Sequence, residues 1–348
     1  MPTKIVLTTL LLLFSASIKA ETPANSPAPT TPAEYFQLAR QQSDIHQPGA
    51  KPFHLTATFT STDEKGKVRT GQYSELWIAK DRWRREISIG DYREASATVS
   101  GSYYHFASSP QMDPAAADVL ENVTPALPDA TDTESINKEW SLKTEKLGGV
   151  ELIRVARILH FKDRGDQPVS AYFFTPQVGY IRGEQSLIQS AYYNSIRSGL
   201  GRIVPFNVTL KFEGKHSTDV KITGFSDPGN PADDAFVIPD ATKSDASTDP
   251  HKTLNTEMIQ GLIVKKVQPI YPEGARQAHE SGDVILHVTI GRDGHIRDIQ
   301  IAKATRLDFA ASAITAIRDY IYKPFMLNGA PVSVDGTITV HYVSRSNF

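Results

Sequence analysis

Hydrophobic and polar positions alternate most regularly near the end of the chain, between residues 261 and 343. The even positions from Val284 to Ile290 are all valine, leucine or isoleucine, which is the period of a strand with one buried face. Asp293-Gly294 follows as a hairpin signal, because glycine adopts positive φ without a steric cost. The pattern therefore predicts two strands joined by a hairpin, with a short helix before the first strand.

A helical spacing of apolar residues follows this hairpin. The residues that would cover the sheet are Ala310, Ala313, Ile314, Ile317 and Ile321. Pro324 is expected to end the helix. The alternation of Ile338, Val340 and Tyr342 then predicts a last strand, which completes an α-β-β-α-β order. Because no later strand is predicted, the outer edge of this strand is expected to be free.

Short motifs run through the same segment in a fixed order. They are Gln268-Pro269-x-Tyr271-Pro272, Gly282-x-Val284, Asp293-Gly294, Ala313-x-x-Ala316-Ile317-Arg318, Tyr322-Lys323-Pro324 and Asn328-Gly329-x-Pro331-Val332. On these residues the segment resembles the C-terminal domain of TonB-family energy transducers, periplasmic proteins that pull on outer-membrane receptors. Two features depart from the family pattern: Tyr320 stands where tryptophan is usual, and Leu307-Asp308 lies early.

The resemblance implies how this segment would bind a partner. An extended peptide would pair with the free edge of the last strand, at Gly336, Thr337, Ile338, Thr339, Val340, His341 and Tyr342. The side chains expected to contact the peptide or its receptor are Gln268, Pro269, Tyr271 and Pro272. In this β-augmentation mode, main-chain hydrogen bonds supply affinity and side chains supply selectivity. Alternatively, the proline-containing segment has a structural role, since Pro272 suits a first helical turn.

Strand signals at short spacing fill residues 33–240. A helix is predicted at 32–44, strands at 53–107, a mostly helical interruption at 112–137 and further strands at 140–225. Long strands with tight turns are typical of an antiparallel sheet that curls into a half-barrel or sandwich. The predicted fold class is therefore α+β and mainly β, with a curled antiparallel sheet followed by the small α-β-β-α-β domain.

The order of these elements, with the segments Ala171–Tyr180 and Asp233–Pro239, resembles the LolA, LppX and RseB group of envelope proteins. Proteins of that group hold lipid acyl chains or lipoproteins in a half-open barrel. The resemblance implies a hydrophobic cavity lined by an apolar row on the first strand, Phe53, Leu55 and Phe59. A cavity requires this row to stay uncovered. The alternative is that the row packs on the helices of the interruption.

The start of the chain and the connection between the domains differ in composition from the two predicted domains. Residues 1–20 form a secretory signal pattern, expected to be cleaved after Ala20 because its apolar run is shorter than the ~20 residues of a membrane span. The alternative is an uncleaved anchor in the inner membrane. Residues 21–32 read as a Pro-rich tether and 241–256 as a flexible linker. The C-terminal domain is then predicted at 257–343.

Composition and motifs argue against several other functions. A formal net charge of −2 without a basic cluster argues against nucleic acid as a partner, and the absence of cysteine excludes thiol chemistry. His279-Glu280 begins a zinc-protease pattern, but Asp283 stands in place of its second histidine. His287 and His341 lack a third ligand. No phosphate-binding glycine loop or nucleophile elbow is present, so no catalytic residue, metal or cofactor is predicted.

The resulting hypothesis is a non-enzymatic periplasmic protein. It would bind an extended peptide of an outer-membrane or envelope partner, in support of TonB-type transport across the envelope. A rival hypothesis is a carrier of lipid or lipoprotein that uses a cavity in the N-terminal sheet. A third is a homodimer formed through the free edge strand.

Overall fold

The computed structural model describes residues 18–19, 28–213, 215–244, 251–327 and 329–344. Most of the predicted signal peptide, the first part of the Pro-rich tether and the centre of the predicted linker, residues 245–250, lie outside this set. Strands dominate the described residues, as the sequence predicts.

The bounds of the elements follow the chain in two groups. The N-terminal strands are β1 Ile18–Lys19, β2 Phe53–Asp63, β3 Val68–Ala79, β4 Arg82–Ile89, β5 Tyr92–Val99, β6 Ser102–Ala107, β7 Trp140–Leu147, β8 Val150–Phe161, β9 Gly165–Phe174, β10 Ile181–Gln185, β11 Gln189–Gly199, β12 Arg202–Phe212, β13 His216–Ser226 and β14 Thr242–Ser244. The N-terminal helices are α1 Pro32–Ser43, α2 Pro114–Asn122 and α3 Thr133–Glu139, with a 3-10 turn at Asp233–Phe236. The C-terminal elements are β15 His251–Thr253, α4 Thr256–Gly261, β16 Ile263–Lys265, α5 Glu273–Gln277, β17 Gly282–Ile290, β18 Ile296–Ala304, α6 Leu307–Ile317, β19 Ile321–Tyr322, β20 Phe325–Leu327 and β21 Ala330–Tyr342.

The N-terminal strands form one large sheet from two meanders. β2 to β6 form the first meander, β7 to β13 form the second, and the two join where β2 pairs with β13. Every pairing in this sheet is antiparallel except that of β1 with β11. Within the described residues the end strands β14 and β7 do not pair with each other, so the sheet stays open. The predicted antiparallel β domain is confirmed.

Helices cover the apolar face of this sheet. Burial alternates strictly along the first part of β2, which places Phe53, Leu55 and Phe59 on the inner face with at most 2% of each exposed. Phe36 of α1 and Val119 of α2 belong to the same fully buried cluster. The apolar row therefore packs inside the domain core, where protein side chains surround it.

The C-terminal sheet has the order β15-β21-β17-β18, with β20 beside β21, and α6 packs on it. The period-two pattern predicted for β17 is seen in its burial, since Val284, Leu286, Val288 and Ile290 are at most 2% exposed. The α-β-β-α-β order is confirmed as α5, β17, β18, α6 and β21.

The prediction that Ile321 belongs to the long helix is wrong. α6 ends at Ile317, and Ile321 lies in β19, which pairs with β16. The amide of Tyr320 bonds back to the carbonyl of Ile317 at 3.0 Å and turns the chain out of the helix. Aromatic and β-branched side chains at Tyr320, Ile321 and Tyr322 then favour an extended backbone.

A buried arginine of the C-terminal domain reaches into the N-terminal domain. Arg297 on β18 is 5% exposed, and its guanidinium donates to the carboxylates of Asp118 on α2 and of Asp293, the latter at 2.6 Å. Asp118 is fully buried and also accepts a hydrogen bond from Thr218 at 3.1 Å, while the imidazole of His216 lies 2.6 Å away. A charge network thus crosses the boundary between the two domains.

The apolar core of the C-terminal domain also crosses that boundary. Phe161, Val169 and Ile188 of the N-terminal domain belong to the same buried cluster as residues of the strands and helix α6 of the C-terminal domain. The carboxylate of Asp163 accepts from the amide of Leu307 at 2.7 Å, at the start of α6. The two domains are therefore packed on each other through both apolar and ionic contacts.

The described ends of the predicted linker are short strands. β14 pairs with β6 of the N-terminal sheet, and β15 pairs with β21 of the C-terminal sheet. Each end is thus attached to the domain it adjoins. Two features of the linker stay predictions. They are its boundaries, proposed at 240 and 257, and the flexibility of the residues between the two strands.

Candidate functional site

The last strand, β21, has different neighbours on its two sides. On its inner side it pairs with β17 along the whole range from Gly282 to Ile290. On its outer side β15 pairs in parallel with Ser333–Asp335 only. Across the described part of the chain, no strand pairs with Gly336–Tyr342 on this outer side. The predicted free edge therefore begins after Asp335, because an earlier strand covers the residues before it.

The direction of each backbone group along this edge follows from one hydrogen bond. The carbonyl of Asp335 accepts from the amide of Leu254 at 2.8 Å, so Asp335 directs its backbone groups to the outer side. The pairing of β21 with β17 has no bulge, and successive residues of a strand face opposite sides. Thr337, Thr339 and His341 consequently present their amides and carbonyls to the outer side.

A groove of about 490 Å³ lies along this open edge. Its lining residues are Thr256, Ile259, Gln260, Ile263, Lys266, Gln268, Pro269, Tyr271, Tyr320, Tyr322, Thr337, Ile338, Thr339, Val340, His341, Tyr342 and Val343. The structure thus brings three of the four predicted residues of the 268–272 segment together with six of the seven predicted edge residues. The groove takes its remaining walls from α4, β16 and the Tyr320–Tyr322 segment.

Two predicted residues lie beside the groove rather than in it. Pro272 occupies the N-cap position of α5, one residue before the first helical turn that was considered for it. Gly336 lies under α4, where a Cβ atom would come within 1.6 Å of the Cδ1 atom of Ile259. Glycine at this position therefore lets α4 pack against the edge strand.

Tyr271 and Tyr342 form a fixed aromatic wall at one end of the groove. Their ring centroids are 5.7 Å apart at an interplanar angle of 83°, and Tyr342 stacks on Phe309 at 4.5 Å. The hydroxyl of Tyr271 donates to the carbonyl of Glu280, and that of Tyr342 donates to the carbonyl of Phe309 at 3.2 Å. Burial raises the pKa of Tyr342 to about 12. Both rings therefore offer a preformed apolar surface.

Several groove residues were missed by the sequence-based prediction. Ile263 and Tyr322 lie in strands of two or three residues, and Lys266 and Tyr320 directly adjoin those strands, so these positions carry no readable period. The run Tyr320-Ile321-Tyr322 was the available signal, since such residues favour strands. Lys266 is the one Lys or Arg among the lining residues, and that lining contains no aspartate or glutamate.

A second, larger cavity of about 890 Å³ lies between the two domains. Its aromatic walls are Trp77, Trp83 and Tyr103, and the C-terminal domain contributes Arg292, Leu327, Ala330 and Val332. Phe53 stacks behind Trp77 with ring centroids 5.5 Å apart. Phe53, Leu55 and Phe59 themselves are not among the lining residues, because helices cover the inner face on which they lie.

The charged residue Arg85 in this second cavity is held by a buried partner. The carboxylate of Glu75 is fully buried and accepts from Arg85 Nε at 2.7 Å, and it lies 2.8 Å from His46 Nε2. Burial alone would raise the pKa of Glu75, but Arg85 and His46 outweigh it and lower the pKa to about 2. The carboxylate of Glu75 therefore neutralises the positive charge of Arg85 at this wall of the cavity.

A third cavity, of about 360 Å³, has several charged residues in its lining and also lies between the domains. Glu184 of β10 and Asp298 of β18 line it together with Trp140 and Tyr172. Glu184 accepts a hydrogen bond from the hydroxyl of Tyr193 at 3.1 Å. Burial raises the pKa of Glu184 to about 8, and burial also raises the pKa of Asp298. At neutral pH the folded protein therefore holds Glu184 mostly protonated, and taking up this proton on folding costs stability.

Replacing Glu184 with glutamine is expected to stabilise the protein increasingly as the pH rises. The folded-state pKa of about 8 exceeds the ordinary value of 4.5, so the native protein loses stability between these two pH values, while glutamine does not titrate. We expect the gain in unfolding free energy to be about 3 kcal/mol larger at pH 8 than at pH 5, since each pKa unit corresponds to about 1.4 kcal/mol. Chemical denaturation measures this difference, with exposed Glu64→Gln as the control. An equal effect at both pH values would contradict it.

The histidines considered for metal binding lie apart from one another in the structure. His287 contacts Thr337 at 3.1 Å, and His341 contacts Asp283 at 2.7 Å on the exposed face of the sheet. Glu280, beside His279, instead accepts from Lys162 and Arg306. Within the described residues no group of three or more His, Asp or Glu side chains could hold a metal ion.

Comparison with known proteins finds similarities to two parts of the chain. Residues 267–343 match a family model described as Gram-negative bacterial TonB protein C-terminal. The TonB C-terminal domain of Pseudomonas aeruginosa is similar at 23% identity, over 25% of this chain and 88% of its own, with a TM-score of 0.23. The family match confirms the resemblance that the motifs of this segment indicate.

Other solved structures are similar over a larger part of the chain. A LolA-superfamily protein from Nitrosomonas europaea is 10% identical over 60% of this chain and 99% of its own, with a TM-score of 0.34. A DUF1329-family protein from Desulfovibrio piger is 10% identical over 60% of this chain and 98% of its own, with a TM-score of 0.37. Among curated proteins, none matches this chain.

Proposed function

We propose that this protein is a non-enzymatic component of the cell envelope that binds an extended peptide segment of an envelope or outer-membrane partner. The peptide adds to the C-terminal sheet as a new strand beside Gly336–Tyr342. The observation that carries this proposal is the open outer edge of β21, which borders a groove already walled by Gln268, Pro269 and Tyr271. The family match over residues 267–343 supports the same conclusion.

The edge supplies the hydrogen-bonding groups that such a peptide requires. Thr337, Thr339 and His341 each offer one amide and one carbonyl on the outer side. A net gain of about 0.5–1.5 kcal/mol for a hydrogen bond makes this ladder a source of affinity that does not depend on the peptide sequence. Selectivity then comes from the side chains of the groove, as is general for strand addition.

The proposed place of action is the periplasm, in support of TonB-type transport. The signal pattern of residues 1–20 supports export, with retention of that segment as an inner-membrane anchor as the alternative. Among the helices that the structure describes, none is long and apolar enough to cross a membrane. Residues 1–17 and 20–27 lie outside that search.

A selection from displayed random seven-residue peptides tests this function. Immobilised protein is expected to enrich peptides that adopt a strand beside β21, and isotope-edited NMR or crosslinking from His341 would place them on the outer edge. Enriched peptides that crosslink to a residue remote from the edge, such as exposed Val68, as often as to His341 would contradict the proposal. Failure to enrich any peptide would also contradict it.

The second candidate function, a carrier of lipid or lipoprotein, has support of its own in the larger interdomain cavity. That cavity has the volume of a small-molecule site and aromatic walls at Trp77, Trp83 and Tyr103. Native mass spectrometry of protein purified without detergent would reveal a bound acyl ligand. A second copy of the chain on the edge strand, the third hypothesis, would instead appear as a dimer that selected peptides dissociate.

A further inference from the structure

Lys266 places a single positive charge in the wall of the groove. The residue is exposed, it directly follows β16, and the lining to which it belongs contains no aspartate or glutamate. Glu257, the exposed carboxylate of α4, lies outside this lining. Among the residues that the structure describes, no carboxylate forms an ion pair with Lys266. The groove therefore contains a cation whose partner is not supplied by the described part of the chain.

Other charged groups around the groove are already paired within the protein. The imidazole of His341, which also lines the groove, lies 2.7 Å from the carboxylate of Asp283 on β17. Asp319, which precedes Tyr320 of the lining, forms an ion pair with Lys215 at 3.3 Å. Lys266 differs from these groups, because its attraction for an anion is not used inside the protein.

A strand that adds to β21 would direct every second side chain at the walls of the groove, because successive side chains of a strand point to opposite faces. Ile338 and Val340 of β21 pack against the same buried cluster as Ile263 and Tyr271, so the groove walls lie on the face of the sheet that these residues share. Alternate side chains of the added strand therefore meet mostly apolar walls and one ammonium group. Because Lys266 is exposed, a peptide side chain can reach that ammonium.

We propose that Lys266 selects the bound peptide through an ion pair with an aspartate or glutamate side chain at one position of the added strand. This inference rests on the proposed function, because it needs a peptide beside β21, and it adds the kind of segment that the partner presents. Opposite charges across an interface contribute specificity more than affinity. The main-chain ladder thus holds the peptide, and Lys266 discriminates among peptides that can form this ladder.

Parallel selections from the random seven-residue library test this choice of side chain. The wild-type protein is expected to enrich aspartate or glutamate at one position, and the Lys266→Gln protein is expected to enrich peptides without that preference. The peptides are fused to their carrier at the C-terminus, so the selected carboxylate belongs to a side chain. Lys265→Gln is the matched control, because it makes the same change in net charge at an exposed residue outside the lining, and it should keep the preference.

Exchanging the charge at Lys266 tests the ion pair by affinity. A peptide selected by the wild type is expected to bind Lys266→Gln about two- to fivefold more weakly, as is usual for a partly exposed pair. The difference should shrink in about 0.5 M sodium chloride, because salt screens exposed charges. Lys266→Glu should instead prefer the version of this peptide in which lysine replaces the acidic residue. Isothermal titration measures these affinities, and the Tm should stay unchanged because Lys266 is exposed and unpaired.

The outcomes distinguish this inference from the function on which it rests. If Thr339→Pro abolishes binding of the selected peptides but those peptides have no acidic position, the inference is overturned and the proposed function stands. Retention of the acidic preference by Lys266→Gln would also overturn the inference. So would its loss in Lys265→Gln, because the preference would then follow the overall charge rather than one residue of the groove. If the wild type enriches no peptide, the proposed function fails and this inference fails with it.

Discussion

Replacing Arg297 with methionine is expected to lower the free energy of unfolding by about 3–5 kcal/mol, the usual cost of removing one partner from a buried ion pair. Methionine keeps much of the volume but leaves the buried carboxylates of Asp118 and Asp293 without their shared cation. His216 and Thr218 still contact Asp118, and they offset part of this cost. Chemical denaturation of the wild type and the variant at neutral pH measures the difference.

An exposed arginine provides the matched control for this substitution. Arg276 forms an ion pair with Glu273 while its side chain is 67% exposed, and such pairs contribute about 0–1 kcal/mol. Arg276→Met should therefore leave the unfolding free energy nearly unchanged. If Arg297→Met were no more destabilising than Arg276→Met, the buried network would not hold the two domains together.

The Arg297→Met variant should also differ from the wild type in how its stability depends on pH. Burial alone would raise the pKa of Asp293, but Arg297 and His295 outweigh it and lower the pKa to about 2, below the ordinary value of 3.8. In the wild type, stability from this group is present above pH 3.8 and is lost as the pH falls toward 2. Without Arg297, burial dominates and Asp293 favours its protonated form. The variant should therefore lose less stability than the wild type on acidification from pH 5 to pH 3.

The buried charge network lies two strands away from the edge strand β21 and joins the sheet of that strand to the N-terminal domain. Arg297 lies on β18, which pairs with β17, and β17 pairs with the edge strand β21. Ser333 of β21 donates to Glu121 on α2 at 2.7 Å, so the edge strand itself also contacts the N-terminal domain. Ala330 and Val332 of the same strand line the larger interdomain cavity. One strand therefore borders both the candidate peptide groove and the candidate ligand cavity.

Sequence patterns predicted strands best where one face of the strand is buried, because apolar residues then recur at every second position. The alternation from Val284 to Ile290 predicted β17 correctly, because one face of that strand is buried along its whole length. The end of α6 was misplaced because Ile321 happens to continue the helical spacing, although its aromatic neighbours favour a strand. β15 was missed because His251–Thr253 is short and polar and shows no alternation of apolar residues.

The packing of the two domains could not be predicted from local patterns. Asp118 and Arg297 are far apart in the sequence, and charged residues are usually exposed. The alternation in β2 correctly predicted that Phe53, Leu55 and Phe59 share a face, but a periodic pattern does not say whether helices or a cavity cover that face. Gln268, Pro269 and Tyr271 of the Gln268–Pro272 motif line the groove, and their role in binding stays a prediction.

A proline at Thr339 is expected to lower the affinity for selected peptides at least tenfold while the Tm stays within a few degrees of the wild type. Thr339 is exposed and directs its amide to the outer side of β21, so proline removes one donor of the peptide ladder and its ring obstructs an incoming strand. The ladder with β17 keeps its hydrogen bonds because they belong to the alternate residues. Isothermal titration with a selected peptide measures the affinity.

The neighbouring residue supplies the control, because a proline at Val340 affects the opposite side of the same strand. Val340 faces Val284 of β17, so its proline variant loses an inner ladder bond and leaves a carbonyl unpaired, at a cost of at least about 2 kcal/mol in unfolding free energy. The two variants differ by one position and should separate binding from stability. If Thr339→Pro binds peptides with unchanged affinity, strand addition at this edge is wrong. Binding would then be sought at Gln268–Pro272 away from the edge, or in the cavity beside Trp77.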